Sequence, residues 1–175
     1  MGKHTITFGL SQSSVQNAIR ELQQYQNSLE YKCRLLAEKL AERGVEIARV
    51  QVASLDAVFT SELLQSIHAK YRGSTENGGI WAVVAGTDHA LFVEIGTGTI
   101  GQSHPYTGKL PEGVSWQYAS GKTIRQLSDG RYGWFYPGDD GRWYFTEGMP
   151  SRPFMYNTAM ELRTILLEVA REVFG

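Results

Sequence analysis

The sequence predicts an α+β fold in which a long N-terminal helix and a C-terminal helix pack on a small, mainly antiparallel sheet. Three observations predict it. Two long stretches repeat apolar residues at helical spacing, short apolar and aromatic runs lie between them, and turn residues separate those runs. The 175 residues fit a single domain, 1–175, and the 42% hydrophobic content is enough for a core.

The first predicted elements are a brief strand over residues 5–8 and a long helix. Ser13 and Gln16 have the spacing of a capping box, which predicts the helix start. Gly44 is predicted to end the helix, because glycine readily takes the positive φ of a closing turn. The apolar residues between them repeat at alternating spacings of three and four, and only Gln26 breaks the pattern. They are Val15, Ile19, Leu22, Leu29, Cys33, Leu36 and Leu40.

A helix of this length bears on assembly. About 30 residues at 1.5 Å each give roughly 45 Å, which is longer than a small domain is wide. The apolar stripe either packs on the sheet and C-terminal helix of its own chain or partly meets a neighbouring subunit. The sequence leaves both interpretations open. Cys33 lies on the apolar side and is interpreted as a small buried hydrophobe, with a reactive thiol as the alternative.

The middle of the chain carries weaker signals. Residues 45–72 fit helix or strand equally well, apart from a short helix predicted over 62–67 and running towards Tyr71. Residues 73–79 predict a loop, and the apolar run 80–85 predicts a buried strand.

The composition changes between residues 96 and 148, which hold 11 of the 19 glycines and three of the four tryptophans. We interpret residues 99–147 as a loop and β-hairpin insertion, because two aromatic runs flank a Gly/Asp turn over 134–145. Neighbouring side chains on a strand point to opposite faces, so these aromatic residues cannot all face inward. Trp134 and Trp143 are therefore candidates for packing within the chain or for contact with another subunit.

The last predicted element is a helix that Ser151 caps, with Pro153 in its first turn. Its apolar stripe consists of Met155, Ala159, Leu162, Leu166, Val169 and Val173.

Charge and targeting signals exclude several classes of protein. The net charge is −1 and the charges are interspersed, so no basic stripe predicts phosphate binding. The sequence has neither a stretch of about 18 apolar residues nor a signal peptide at its N-terminus. We therefore expect a soluble protein that is made in a cytoplasm.

Signals for catalysis are weak. His89, Glu94, His104 and Asp139 are the residues that a metal site would use, but their spacing does not require one. Residues 96–101 match a G-x-G-x-x-G spacing, yet Pro105 follows where a dinucleotide site needs a helix. We therefore expect no catalytic residue, no cofactor and no metal.

Two segments resemble a family of phage proteins. Residues 90–98 read Ala-Leu-Phe-Val-Glu-Ile-Gly-Thr-Gly and resemble that family's Tyr/Phe-Val-Glu-Phe-Gly-Thr segment. Residues 148–155 read Gly-Met-Pro-Ser-Arg-Pro-Phe-Met and resemble its Pro-Ala-Arg-Pro-Phe segment. The family is the gene-product-ten-like group of siphophage tail components, which includes neck and minor tail proteins of lambda-like phages. The order of the predicted elements also agrees.

The resemblance implies a non-enzymatic virion protein, a neck or tail-completion subunit at the head–tail junction. It implies assembly in the host cytoplasm into a ring-like homo-oligomer, with other connector or tail proteins as partners. DNA would pass through without specific binding. A tail-terminator or head-closure subunit is the alternative within this class. A phage-encoded metal-dependent hydrolase is the alternative from another class.

The matched segments also supply candidates for fold-defining or interface residues. We hypothesise that Glu94 accepts backbone N–H groups from the glycine loop that follows it, and that Arg152 pairs with Glu94. The competing interpretation is two independent solvated charges. The remaining candidates in these segments are Gly96, Thr97, Pro153 and Phe154.

Overall fold

A computed structural model describes residues 5–57, 61–76, 78–110, 112–118, 124–138 and 140–175. It confirms the α+β fold: long helices stand at both ends of the chain, with small antiparallel sheets and an aromatic hairpin between them. The described residues form two compact units that interleave along the sequence. Of the described residues, unit 1 holds those within 5–46, 68–84 and 161–175, and unit 2 holds those within 47–67 and 85–160.

Helix α1 spans Gln12–Ser54 and differs from its prediction at both ends. Ser11, rather than Ser13, lies at the start, where the Ser14 N–H donates to the Ser11 hydroxyl at 3.3 Å. The helix also continues through Gly44. A Cβ at position 44 would lie 2.7 Å from Val83 Cγ2 and 3.1 Å from Leu162 Cδ1. Gly44 therefore allows close packing within unit 1, and it does not end the helix.

Strands β1 (His68–Thr75) and β2 (Gly78–Val84) form an antiparallel hairpin in unit 1. The strand predicted over 80–85 is confirmed as β2, but the expectation that it is buried is wrong, because its residues are half-buried or exposed and Ile80 is 47% exposed. Residues 73–75 belong to β1 and residues 78–79 to β2, and not to the predicted loop. The short helix predicted before Tyr71 is α2 (Ser61–Ser66), and Tyr71 itself lies in β1. The brief strand predicted over residues 5–8 is wrong, because these residues pair with no strand that the structure describes.

Within unit 1 the β1–β2 hairpin and the end of the last helix lie against α1. The last helix, α5 (Phe154–Phe174), contributes its residues from 161 onward to this unit. Lys39 and Glu172 form an ion pair at 3.8 Å, and the Lys32 ammonium lies over the Phe174 ring. An apolar groove of about 430 Å³ remains between the elements, with Leu40 in its lining.

Unit 2 contains the remaining elements. Two short helices, α3 (Ala90–Ile95) and α4 (Gly98–Ser103), precede a three-stranded sheet. Its strands are β3 (Arg125–Gln126), β4 (Tyr132–Pro137) and β5 (Trp143–Thr146), in the order β3-β4-β5. A short strand, β6 (Gly148–Met149), leads to the start of α5. The largest fully buried side chains, all in this unit, are Val52, Leu63, Ile67, Phe154 and Thr158.

The hairpin predicted over residues 134–145 is confirmed as the antiparallel pair β4–β5. Trp134 lies opposite Thr146, and Pro137 lies opposite Trp143. Trp134 is half-buried, whereas 67% of the Trp143 surface is exposed. The two tryptophans therefore divide between packing within the chain and an open surface.

Among the residues that the structure describes, no helix is long and apolar enough to cross a bilayer.

Candidate functional site

The structure brings the two segments that resemble the phage family into direct contact. Thr97 pairs with Met149 and Gly98 pairs with Gly148 as antiparallel bridges. The Arg152 N–H donates to the Val93 carbonyl at 2.9 Å. We call residues 93–101 and 147–156 together the junction. All of it lies in unit 2.

Glycines make this close approach possible. A Cβ at Gly96 would lie 2.6 Å from the Ser151 nitrogen, and a Cβ at Gly148 would overlap the Thr97 carbonyl oxygen. Both glycines also have positive φ, 86° and 97°, which other residues adopt only at a cost. The two segments therefore touch through their backbones, with no room for side chains between them.

Glu94 closes the first turn of α5. Its carboxylate accepts the Met155 N–H at 2.8 Å and the Tyr156 N–H at 3.0 Å. These donors have no partner inside the helix, and the positive end of the helix dipole favours an anion there. Glu94 is only 7% exposed, so a carboxylate buried in unit 2 acts as the cap of α5. Ser151, the predicted cap, instead donates its hydroxyl to the Glu94 carbonyl at 2.7 Å.

Arg152 closes the end of the other long helix. Its Nε donates to the Leu55 carbonyl at 3.1 Å, directly after α1 ends at Ser54. The last carbonyls of a helix lack partners within it and carry partial negative charge, so a guanidinium is favourable there.

The hypothesised pairing of Glu94 with Arg152 is therefore wrong, because each side chain binds the backbone of a helix end. The donors to Glu94 come from α5 and not from the glycine loop after it. The interpretation as two solvated charges is wrong as well, since Glu94 is buried and Arg152 is half-buried.

Tyr106 completes the surroundings of the Glu94 carboxylate. Its hydroxyl acts on the Glu94 carboxyl, and its ring lies edge-on to Tyr156 at 6.1 Å between centroids. Burial raises the pKa of the Glu94 carboxyl, while the two backbone N–H groups and Tyr106 act against that rise. Burial, together with the charge of Glu94, raises the pKa of Tyr106 to about 12.

The raised pKa of Glu94 predicts a pH dependence of stability. The folded chain keeps this proton at pH values where the unfolded chain has released it, so stability falls as pH rises through the raised pKa. We expect wild type to lose stability relative to Glu94→Gln, which cannot titrate, as pH rises from about 4 to about 8. Urea unfolding of both proteins across this range measures the difference. A difference that grows in favour of wild type with rising pH would contradict the expectation.

The remaining residues that the sequence identifies as candidates contribute to the fold of unit 2. Pro153 directly precedes α5, where no N–H is needed, and Phe154 is fully buried in unit 2. Thr97 contributes its backbone to the bridge with Met149. Trp116 was one of the aromatic residues expected to pack within the chain or to contact another subunit, but its contact with the junction was not predicted. Its Nε1 donates to the Gly96 carbonyl at 3.0 Å. No local pattern marks such a contact between distant segments.

Two of the residues considered for a metal site, Glu94 and His104, take part in hydrogen bonds of the fold. Both oxygens of Glu94 accept backbone N–H groups, and the His104 carbonyl accepts the Ser151 N–H. His89 directly precedes α3, and its Nε2 is enclosed without a hydrogen-bond partner that the structure describes. Asp139 lies outside the described residues. No group of three potential metal ligands occurs among the residues described.

The G-x-G-x-x-G stretch also differs from a dinucleotide site. It follows helix α3, where such a site has a strand, and it enters α4 directly. The expectation that Pro105 prevents a helix here was wrong, because the six-residue α4 ends at Ser103, before the proline.

A cleft of about 740 Å³ lies within unit 2 beside the junction. It presents aromatic rings together with uncharged polar groups, and no Asp, Glu, Lys or Arg is among its described lining residues. These residues are His89, Phe92, Thr97, Ser115, Trp116, Gln117, Tyr118, Ile124, Trp134 and Met149. The cleft offers apolar contact and hydrogen bonding, with no pair of carboxylates for acid–base chemistry.

Comparison of the chain with protein-family models, with curated proteins and with solved structures found no match.

Proposed function

We propose that this chain is a structural subunit of a tailed-phage particle, a neck or tail-completion component at the head–tail junction. The observation that carries the proposal is the convergence of residues 93–98 and 148–156. The two segments that resemble the siphophage family lie far apart in sequence and form one hydrogen-bonded junction. Their polar residues hold helix ends, which suits a scaffold better than a catalytic centre.

Exposed apolar surface also supports a role in an assembly. Ile19 and Leu22 of α1 are 49% and 55% exposed, and Trp143 of the hairpin is 67% exposed. The buried centre of a protein interface is apolar, and tryptophan is enriched there. These surfaces fit contacts with further copies and with other connector or tail proteins.

The charge distribution fits a subunit that DNA passes without specific binding. The net charge is −1. Arg131 directly precedes β4 and forms an ion pair with Asp129 at 2.8 Å. Arg142 directly precedes β5 and forms an ion pair with Asp140 at 3.7 Å. Paired arginines attract phosphate less than unpaired ones, so this surface does not favour binding to DNA.

Deletion of the gene from its phage or prophage tests the proposal. We expect DNA-filled heads and tails that fail to join, or incomplete tails. We also expect the infectivity of the lysate to fall by about a thousandfold. Electron microscopy of the lysates and plaque counts measure both effects. Wild-type protein supplied in trans should restore joined particles. Normal joined particles after deletion would refute the proposal.

A cell-wall lysis assay distinguishes this proposal from the hydrolase alternative. Purified protein should not clear host cell walls, with or without added Zn²⁺, and His89→Ala and His104→Ala should still complement the deletion. Clearing that depends on either histidine would favour the hydrolase.

A further inference from the structure

Helix α1 carries an apolar stripe with a seven-residue repeat between residues 15 and 40, which we call the seam. From Val15 to Leu40 the stripe positions are spaced alternately by four and three, with the polar Gln26 at one of them, and this is the periodicity of a coiled coil. In this repeat Ile19, Gln26 and Cys33 occupy a positions, and Leu22 and Leu29 occupy d positions. A straight helix that packs on a sheet does not need this period, because its own repeat is 3.6 residues.

Other elements of unit 1 pack against the C-terminal half of this seam, whereas the N-terminal half is exposed to solvent. Cys33 lies under the β1–β2 hairpin, where a Cβ at Gly78 would be 3.5 Å from the Cys33 Cβ. Leu40 lines the groove that also contains Trp81. Ile19, Leu22 and Leu29 are 49%, 55% and 38% exposed. The covered and uncovered halves both belong to unit 1 and continue one seam.

We propose that the open half of this seam, residues 15–29, is covered by the same segment of a second copy of the chain, in a parallel two-stranded coiled coil. The heptad period of the open half matches that of a partner helix with the same repeat, which a second copy of α1 supplies. An isoleucine at a with leucines at d favours two parallel strands. The proposal does not depend on the function proposed above.

Gln26 specifies the register of this pair. It occupies an a position in the middle of the open half, and its carboxamide is exposed apart from a 3.2 Å hydrogen bond from Nε2 to Glu30. A carboxamide both donates and accepts, so two Gln26 side chains satisfy each other when the helices are parallel and in register. A polar group at one a position lowers stability but excludes other alignments.

Disulfide cross-linking of purified full-length protein tests the arrangement. In a Cys33→Ala background, Ile19→Cys and Leu29→Cys are made separately and oxidised mildly. A parallel pair in register places each new cysteine beside its own copy, within the 4.4–6.8 Å between Cα atoms that a disulfide allows. We expect both variants to form covalent dimers. Gln24→Cys, on the exposed opposite side of α1, is the matched control and should give at least tenfold less dimer.

The two positions distinguish parallel from antiparallel pairing. Residues 19 and 29 are about 15 Å apart along the helix. An antiparallel pair therefore links at most one of them, and that outcome would refute the proposal. Cross-linking no stronger than that of Gln24→Cys at both positions would also refute it, because the seam would then be covered by something other than a second α1.

Sedimentation equilibrium without cross-linking provides an independent readout. Gln26→Leu removes the polar layer, so we expect it to tighten self-association about tenfold. Leu22→Asp should weaken self-association at least tenfold while the circular dichroism spectrum keeps its helical signal. A folded Leu22→Asp variant that associates as strongly as wild type would overturn the proposal.

Discussion

Gly148→Ala is expected to lower the free energy of unfolding by about 3–5 kcal/mol. The added Cβ would overlap the Thr97 carbonyl oxygen and lie 2.8 Å from the Gly98 Cα. Both atoms belong to backbone that is held in the bridges of the junction, so neither can move aside as a flexible side chain would. The bridges must separate to relieve the overlap. Urea denaturation followed by circular dichroism measures the loss.

Gly130→Ala is the matched control for this substitution. Gly130 has a φ of 88°, close to the 97° of Gly148, but among the described residues no heavy atom beyond its chain neighbours lies within 4 Å of the position of its Cβ. We expect it to cost about 1–2 kcal/mol, the penalty for positive φ alone. Equal losses in the two variants would show that the close approach in the junction contributes nothing.

Glu94→Ala is expected to cost about 2–4 kcal/mol at neutral pH. It leaves the N–H groups of Met155 and Tyr156 without their acceptor in a partly buried position. Removing the side chain also removes its packing. Glu94→Gln keeps the volume and one acceptor oxygen, so it should cost about half as much. Thermal and urea unfolding of the three proteins measure the series.

Glu62→Ala provides the comparison for this series. Glu62 is also an acidic residue in the first turn of a helix, α2, but it is exposed. We expect it to change stability by less than about 0.5 kcal/mol. If Glu94→Ala were as mild as Glu62→Ala, the cap of α5 would be unimportant to the fold.

The long helices and the aromatic hairpin could be predicted because their signals are local. The apolar repeat of α1 and the Gly/Asp turn between aromatic runs each lie within a few residues of the structure they predict. The end of α1 could not be predicted in this way. Gly44 has the local signature of a helix end, but Val83 and Leu162 pack against it from distant parts of the chain. Tertiary packing there outweighs the low helix propensity of glycine.

The residues of the junction were identified from sequence, but their partners were not. Glu94 and Arg152 have opposite charge, and pairing them is the simplest expectation from charge alone. In the structure, each side chain instead binds backbone groups at a helix end. Glu94 accepts two N–H groups of α5, and Arg152 donates to the Leu55 carbonyl. Which helix end lies near which side chain depends on the path of the backbone through all of unit 2, and no local sequence pattern predicts it. The contacts of Tyr106 and Trp116 with the junction were missed for the same reason.

The bridges of Thr97 with Met149 and of Gly98 with Gly148 tie together the two ends of a loop of roughly fifty residues. The entropy of closing such a loop grows only with the logarithm of its length, so doubling it costs about 0.6 kcal/mol. The helix caps at Glu94 and Arg152 lie outside the loop and do not depend on its length. His104, Tyr106 and Trp116 lie inside the loop and contact the junction. Away from these contacts, chain can therefore be gained or lost at little cost to the rest of the fold, and such positions are places where new contact surfaces can evolve.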